Sequence, residues 1–436
     1  MGVAAFQIVL ALTACTSANE SPSVPAASSA LCATPHASEP CYSALQLEEA
    51  YNLKPLYAGG LNGSGTTVVV LAEIASPTLG NDLTVFDEAF HLPAPSIRVV
   101  SVAGKQVPFE PASSDDIGGA AEVTLDTEAV HTIAPGAKIV VLVVPPGTED
   151  LGVDSEIQAV YYAAQHHLGQ VVTTSLGNVG EAALGAQTIN RLHQDLQYAA
   201  ARHITVVDAS GDFGASSRRT LEGHAGPGCC FTERMRGYPA SDPLVVAVGA
   251  TRLSLDATGN RISPDTVAGD PSSGGASGGG LSTVFPRPSY QDTVESVVGD
   301  HRGGPDVSMS GDLNGGFEMY SSFPNQSNGL PEGWTSIAGT SESAPLFAGI
   351  VAITDQAAGR SLGPLNPYLY SAYQLASHGG VVPVTSGNNT VTIESSSGTR
   401  VTVPGYEATA GYNLATGLGT VNAALLVRSL THLAQS

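Results

Sequence analysis

Runs of β-branched and aliphatic residues recur along the chain: Val68–Glu73, Lys138–Val144, Gln170–Thr174, Ile204–Asp208 and Leu244–Val248. Strands that are apolar along their whole length need cover on both faces, which a parallel sheet between two helical layers provides. The intervening segments have helical periodicity, notably Ser155–His166 and Ala186–His203, and an amphipathic helical segment, Leu45–Tyr57, precedes the first run. The alternation predicts an α/β fold with a mostly parallel central sheet, helices on both faces and reactive groups on loops at strand ends. A chain of 436 residues that is 42% hydrophobic can bury a large core, so one catalytic-sized domain is expected; 50 Gly and 28 Pro imply many loops around it.

Charge narrows the partners. With 17 Lys and Arg against 39 Asp and Glu, a formal charge of −22, nucleic acid is excluded as a partner class. Few cations are left to repel one another once carboxylates protonate, so the composition suits an acidic medium. From Met1 the chain is apolar up to Leu12-Thr13-Ala14-Cys15, too short a stretch to span a membrane but suited to a signal-peptide core. The Leu-Thr-Ala-Cys string resembles a bacterial lipobox, which would put lipid on Cys15 and anchor the chain to a membrane, although no Lys or Arg precedes the apolar run. Plain secretion with cleavage nearby is the other reading, and both export the chain. Residues 16–40, small, polar and Pro-containing, read as a tether, leaving 41–436 as the folded domain. Apart from Cys15, four cysteines remain, an even number that suits an oxidising compartment. Cys32 and Cys41 make a local bridge, while the adjacent Cys229 and Cys230 either bridge each other or send one sulfur elsewhere. No Cys/His spacing matches a zinc site.

The candidate nucleophile is Ser341, in Gly339-Thr340-Ser341-Glu342-Ser343-Ala344-Pro345, just ahead of the small apolar run Leu346–Ile350. A serine between a glycine turn and a helix start presents its hydroxyl where free N–H groups and the helix dipole favour developing negative charge. A bare Gly-Thr-Ser is more often a helix cap, so the partners decide. None of the eleven histidines stands in a His-Gly-Thr string, the usual setting of a serine peptidase's base. Instead Glu122 and Asp126 stand four apart in a helical stretch that ends near Pro135, so both carboxyls project from one face. Like charges that close share a proton, which lets the pair do the work of His-Asp in acid. The strand Ile204–Asp208 then runs into Ala209-Ser210-Gly211-Asp212-Phe213-Gly214, bringing a third acid to a strand end.

These motifs, in this order, resemble the sedolisins, serine-carboxyl peptidases with a subtilisin-like fold, from about Leu45 to the C-terminus. The resemblance implies Ser341 as nucleophile, Glu122 as general base, Asp126 as the carboxyl that orients it, and Asp212 as a protonated oxyanion-hole acid, hence activity in acid. Ser175 and Gly177 match the edge that binds the substrate backbone, while Gly278–Gly280, Phe285–Tyr290 and Pro305–Ser308 match structural landmarks. A monomer acting on protein or peptide substrates is implied. Several departures stand out. Pro383 and Asn413 occupy positions where the family's calcium site has aspartate, so no tight calcium and no cofactor are expected. Only the tether precedes the catalytic region, where the family commonly has a pro-domain; folding is then unaided, or the inhibitor domain is separate, or the start lies upstream. Leu176 replaces a tryptophan of some relatives, and Glu73 is one position from its expected place. The rival reading is a surface-tethered pseudoprotease acting as a binding or scaffold protein; a His-dependent peptidase active near neutrality is a third.

Overall fold

The computed structural model describes residues 41–105, 108–144, 152–220, 227–270, 274–312, 314–326 and 332–436. The proposed signal and tether, with Cys15 and Cys32, lie outside the described residues.

Eight strands form the central sheet: β1 Thr67–Ala72, β2 Ser96–Ser101, β3 Lys138–Val143, β4 Val171–Thr174, β5 Thr205–Ala209, β6 Val245–Arg252, β7 Thr266–Val267 and β8 Val307–Ser310. Their order is β7-β6-β5-β4-β1-β3-β2, with β8 also pairing to β6. All pairings are parallel except β7 with β6. Each predicted apolar run is one of these strands. Three strands escape the sequence: β2, whose residues are exposed or half-buried, β7, only two residues long, and β8, Val-Ser-Met-Ser, in which serines interrupt the apolar signal.

Alternation along the strands sorts side chains between two cores. Val68, Val70, Ile139 and Val141 pack with α2 Leu79–Phe90, α3 Ser114–Ile133 and α6 Thr340–Ala358; Val69, Leu71, Val140 and Leu142 pack with α4 Val153–Gln165 and α5 Ala186–Ala200. Helices therefore cover both faces, as expected. The predicted helix Leu45–Tyr57 is a correction: it divides into α1 Ala44–Ala50 and a short helix Lys54–Ala58, because Asn52 adopts a left-handed φ of 58° and Pro55 starts a new helix. α3 and α6 pack in near contact, since a Cβ on Gly349 would lie 2.6 Å from the Cβ of Ile133. Strand ends carrying Glu73, Ser175 and Asp212 thus meet the helices bearing Glu122, Asp126 and Ser341.

Cys229 and Cys230 form a vicinal disulfide, resolving the pairing that the sequence left open. Cys41 is also disulfide-bonded, and its expected partner Cys32 lies outside the described residues. Among the described residues no helix is long and apolar enough to cross a membrane.

Candidate active site

α6 begins at Gly339, whose φ of 137° suits glycine and whose missing side chain leaves room for a neighbour: a Cβ there would press to 3.3 Å on the Asp212 carboxyl. Ser341 follows in the first turn, buried beside the helix N-terminus. Pro345, inside the helix, has no N–H for the carbonyl four residues earlier, which belongs to Ser341. That carbonyl lies 3.5 Å from the Ser175 hydroxyl instead. The proline in the sequence motif therefore frees a backbone group at the nucleophile.

α3 is capped by the Ser113 hydroxyl, which accepts from the Asp116 N–H, and is buried along nearly its whole length. Glu122 and Asp126, one turn apart, are 3% and 0% exposed. Burial pushes the Glu122 carboxyl well above its ordinary range; neighbouring Asp126, Asp212 and Glu73 push the same way, and the Ser341 hydroxyl pulls it back. Neither Glu122 oxygen closes a hydrogen bond of ordinary geometry, a looseness usual between a nucleophile and its base until substrate tightens the contact. Asp126 is raised by burial and pulled down by the Ser175 hydroxyl, 3.0 Å from its Oδ1. Two carboxyls so placed titrate as a coupled pair.

Asp212 closes the constellation from β5. Its Oδ1 accepts from the Thr340 N–H at 2.7 Å and the Thr340 hydroxyl at 3.0 Å, while that hydroxyl accepts from the Gly211 N–H at 3.1 Å. With Oδ1 taken twice as acceptor, the proton of a neutral Asp212 belongs on Oδ2. Burial raises this carboxyl, opposed by the Thr340 donors and by the Arg218 guanidinium. Gly278 forms the floor under the Asp212 loop: its N–H bonds the Gly211 carbonyl at 2.7 Å, and a Cβ would strike the Ser210 carbonyl.

All four sequence-predicted catalytic residues meet in one place. Gly177 is half-buried with a left-handed φ of 108° at the end of β4. Ser175, read as a substrate contact, is buried with its hydroxyl committed to Asp126, so that hydroxyl serves the carboxyl pair from behind. Thr340 and Arg218 were missed. Thr340 sits inside the nucleophile motif without a pattern of its own, and Arg218 reaches Asp212 and half-buried Glu73 only through the fold.

A profile of the subtilase family matches residues 116–378, which include all four residues. The chain belongs to the subtilase family. Within it, the chain resembles the sedolisins. Kumamolisin of Bacillus sp. (strain MN-32) is 31% identical over 397 residues, covering 89% of this chain and 63% of the relative. Tripeptidyl-peptidase 1 of Homo sapiens is 33% identical over 275 residues, covering 60% of this chain and 43% of that one. The chain thus spans less than two thirds of the length of either relative. Among solved structures, a Pseudomonas sedolisin (serine-carboxyl proteinase) complexed with two molecules of pseudo-iodotyrostatin superposes with a TM-score of 0.70 and 26% identity, over 91% of this chain and 100% of that one.

The loops matched to the sedolisin calcium site are joined by an amide. Asn413 Oδ1 accepts from the N–H groups of Ala415 and Thr416 and from the Thr416 hydroxyl, at 3.1, 3.0 and 3.1 Å. Those backbone donors fix which end of the amide is oxygen. Nδ2 therefore faces the carbonyls of Val384 and Thr409, at 3.2 and 3.5 Å. A donor there occupies lone pairs that a hard cation would need, and Pro383 brings no side-chain oxygen, so these residues do not fit calcium.

Proposed function

We propose that this sedolisin-like chain is an exported endopeptidase that hydrolyses protein or peptide substrates in acid, through an acyl-enzyme on Ser341. The observation that carries the reading is the Ser341 hydroxyl facing a buried carboxyl pair, with Asp212 held on the other side so that only Oδ2 can carry its proton. The Ser341 oxygen bonds to the scissile carbonyl carbon as Glu122 takes the hydroxyl proton, Asp126 and Ser175 holding the base in place. Neutral Asp212 donates from Oδ2 to the oxygen that gains charge. Collapse breaks the C–N bond, and Glu122 returns the proton to the leaving amine. Water then attacks the ester, giving its proton to Glu122, and the acid product leaves as Ser341 is reprotonated.

The pH limits follow from these roles. A second proton on the Glu122–Asp126 pair removes the base at low pH, and ionisation of Asp212 turns an oxyanion donor into a repelling charge as pH rises. Hydrolysis of a denatured protein, followed from about pH 2 to 8 across the ordinary carboxyl and histidine range, is expected to peak in acid and vanish towards neutrality. A maximum near neutrality would overturn the assignment, and a folded protein inactive at every pH would favour the tethered binding protein.

Export is supported by the apolar N-terminal stretch ending at Cys15 and by the vicinal disulfide; lipid on Cys15 and a monomeric state belong to the same proposal. So does the absence of tight calcium. A chelator is expected to leave the thermal midpoint unchanged. Asn413→Asp is expected to cost about 1–3 kcal/mol, the penalty for replacing a buried donor by a group that repels two carbonyls. Near-stoichiometric calcium in the purified protein would sink this part.

A further inference from the structure

Consecutive strand residues point to opposite sides of a sheet, and the end of β4 uses both. Ser175, on the α3 side, gives its proton to Asp126 Oδ1 at 3.0 Å; Thr174, on the α4 side, gives its proton to Glu156 Oε1 at 2.7 Å. Glu156 lies in the first turn of α4, and Asp208 of β5 stands in register beside Thr174. Glu156, Asp208 and Thr174 are 1%, 0% and 1% exposed. Glu156 Oε2 and both Asp208 oxygens close no hydrogen bond of ordinary geometry. A second acidic pair thus backs onto Glu122–Asp126 through the sheet, and the mechanism above does not use it.

We propose that Glu156 and Asp208 share one proton and act as a positioning pair, fixing the end of β4 and, through it, the Ser175 hydroxyl that orients Asp126. The inference rests on the assignment of Glu122, Asp126 and Ser341 as the catalytic group. A proton on Asp208 donates to Glu156 Oε2, which gives the orphaned oxygens a partner and leaves Glu156 as the ionised acceptor for Thr174. Burial holds the proton: it pushes Glu156 up to about 8 against the pull of the Thr174 hydroxyl, and Asp208 well above the carboxylate range, where Glu156 pushes the same way and Arg236 and the Asn178 amide pull down. The ionisable groups that face the pair are Arg236, Tyr238 and, beyond β1, Glu73. One shared proton leaves a single negative charge to balance Arg236. Losing it leaves an unbalanced buried charge behind the active site, so the strand end is held best in acid.

The test has a readout independent of activity. Infrared difference spectra of the full chain, at a pH above the ordinary carboxyl range, are expected to show a protonated-carboxyl carbonyl band that Asp208→Asn and Glu156→Gln remove and Glu122→Gln leaves in place. In turnover, Glu156→Ala is expected to lower kcat about tenfold or more with little change in KM, as for other groups that orient a catalytic side chain. Glu156→Gln, which still accepts from Thr174, is expected to restore most of that loss. A band unchanged in Asp208→Asn overturns the shared proton, and Glu156→Ala with wild-type kcat overturns the positioning role. If Glu156→Ala does not fold, the spectra and the glutamine variant decide. If the wild type hydrolyses nothing, the catalytic reading fails while the spectra still decide the shared proton.

Discussion

Ser341→Ala is expected to lower hydrolysis by roughly 10⁴–10⁶-fold at every pH, and Glu122→Ala to come close to it, because a nucleophile and its base act as a unit. The double variant should then be no worse than Ser341→Ala alone. Single-turnover measurements on a peptide ester and an amide separate the steps: with Glu122 gone, acylation by the amide should suffer most, since its leaving group needs the proton that Glu122 returns. Both variants should stay folded, because Ser341→Ala removes only a hydroxyl and Glu122→Ala removes a buried acid whose oxygens close no hydrogen bond of ordinary geometry. Additive losses in the double variant would mean that the two residues act separately, which the facing of the Ser341 hydroxyl and Glu122 in the structure argues against.

The candidate catalytic residues were legible in the sequence because each sits in a local pattern. Glu122 and Asp126 are one helical turn apart, Ser341 lies between a glycine turn and a helix, and Asp212 follows an apolar strand. The sheet was legible where its strands are buried on both faces and faded where they are not: β2 is an edge strand with exposed positions, and β8 is half serine. What could not be read depends on contacts distant in sequence. Ser175 reaches Asp126 across 49 positions and Thr340 reaches Asp212 across 128, and no spacing rule anticipates either. The helix break at Asn52 was missed for the opposite reason: it is local, but amphipathic periodicity continues across it and only the φ of one residue reveals it.

The acidic composition acquires a physical meaning once burial is known. Beyond the catalytic group, Glu48 and Asp355 are pushed up to about 7 and Glu156 and Glu342 to about 8, in each case chiefly by burial. A carboxyl whose folded pKa is raised binds its proton more tightly folded than unfolded. Its contribution is therefore complete below the unfolded value near 4.5 and is lost as pH rises towards the folded value. Stability should thus be greatest in acid and decline between about pH 4.5 and 8, the reverse of ordinary acid denaturation.

Glu342, next to the nucleophile on α6 and 0% exposed, gives this its sharpest test. Holding one carboxyl from 4.5 to about 8 corresponds to roughly 4–5 kcal/mol at 1.36 kcal/mol per unit, comparable with the 5–15 kcal/mol that keeps a typical domain folded. The urea midpoint is therefore expected to fall steeply from pH 4 to 8 in the wild type. Glu342→Gln, which keeps the shape and has no proton to lose, should flatten that fall by one group's share while leaving the acid midpoint nearly unchanged. The Ser310 hydroxyl and Phe317 N–H that now pull the Glu342 carboxyl down would meet the amide oxygen of the glutamine instead, so the packing of the first turn of α6 should survive. A midpoint that rises with pH over this interval, or a Glu342→Gln profile identical to the wild type, would show that the buried carboxyls are relieved by water and do not set the acid range of the fold.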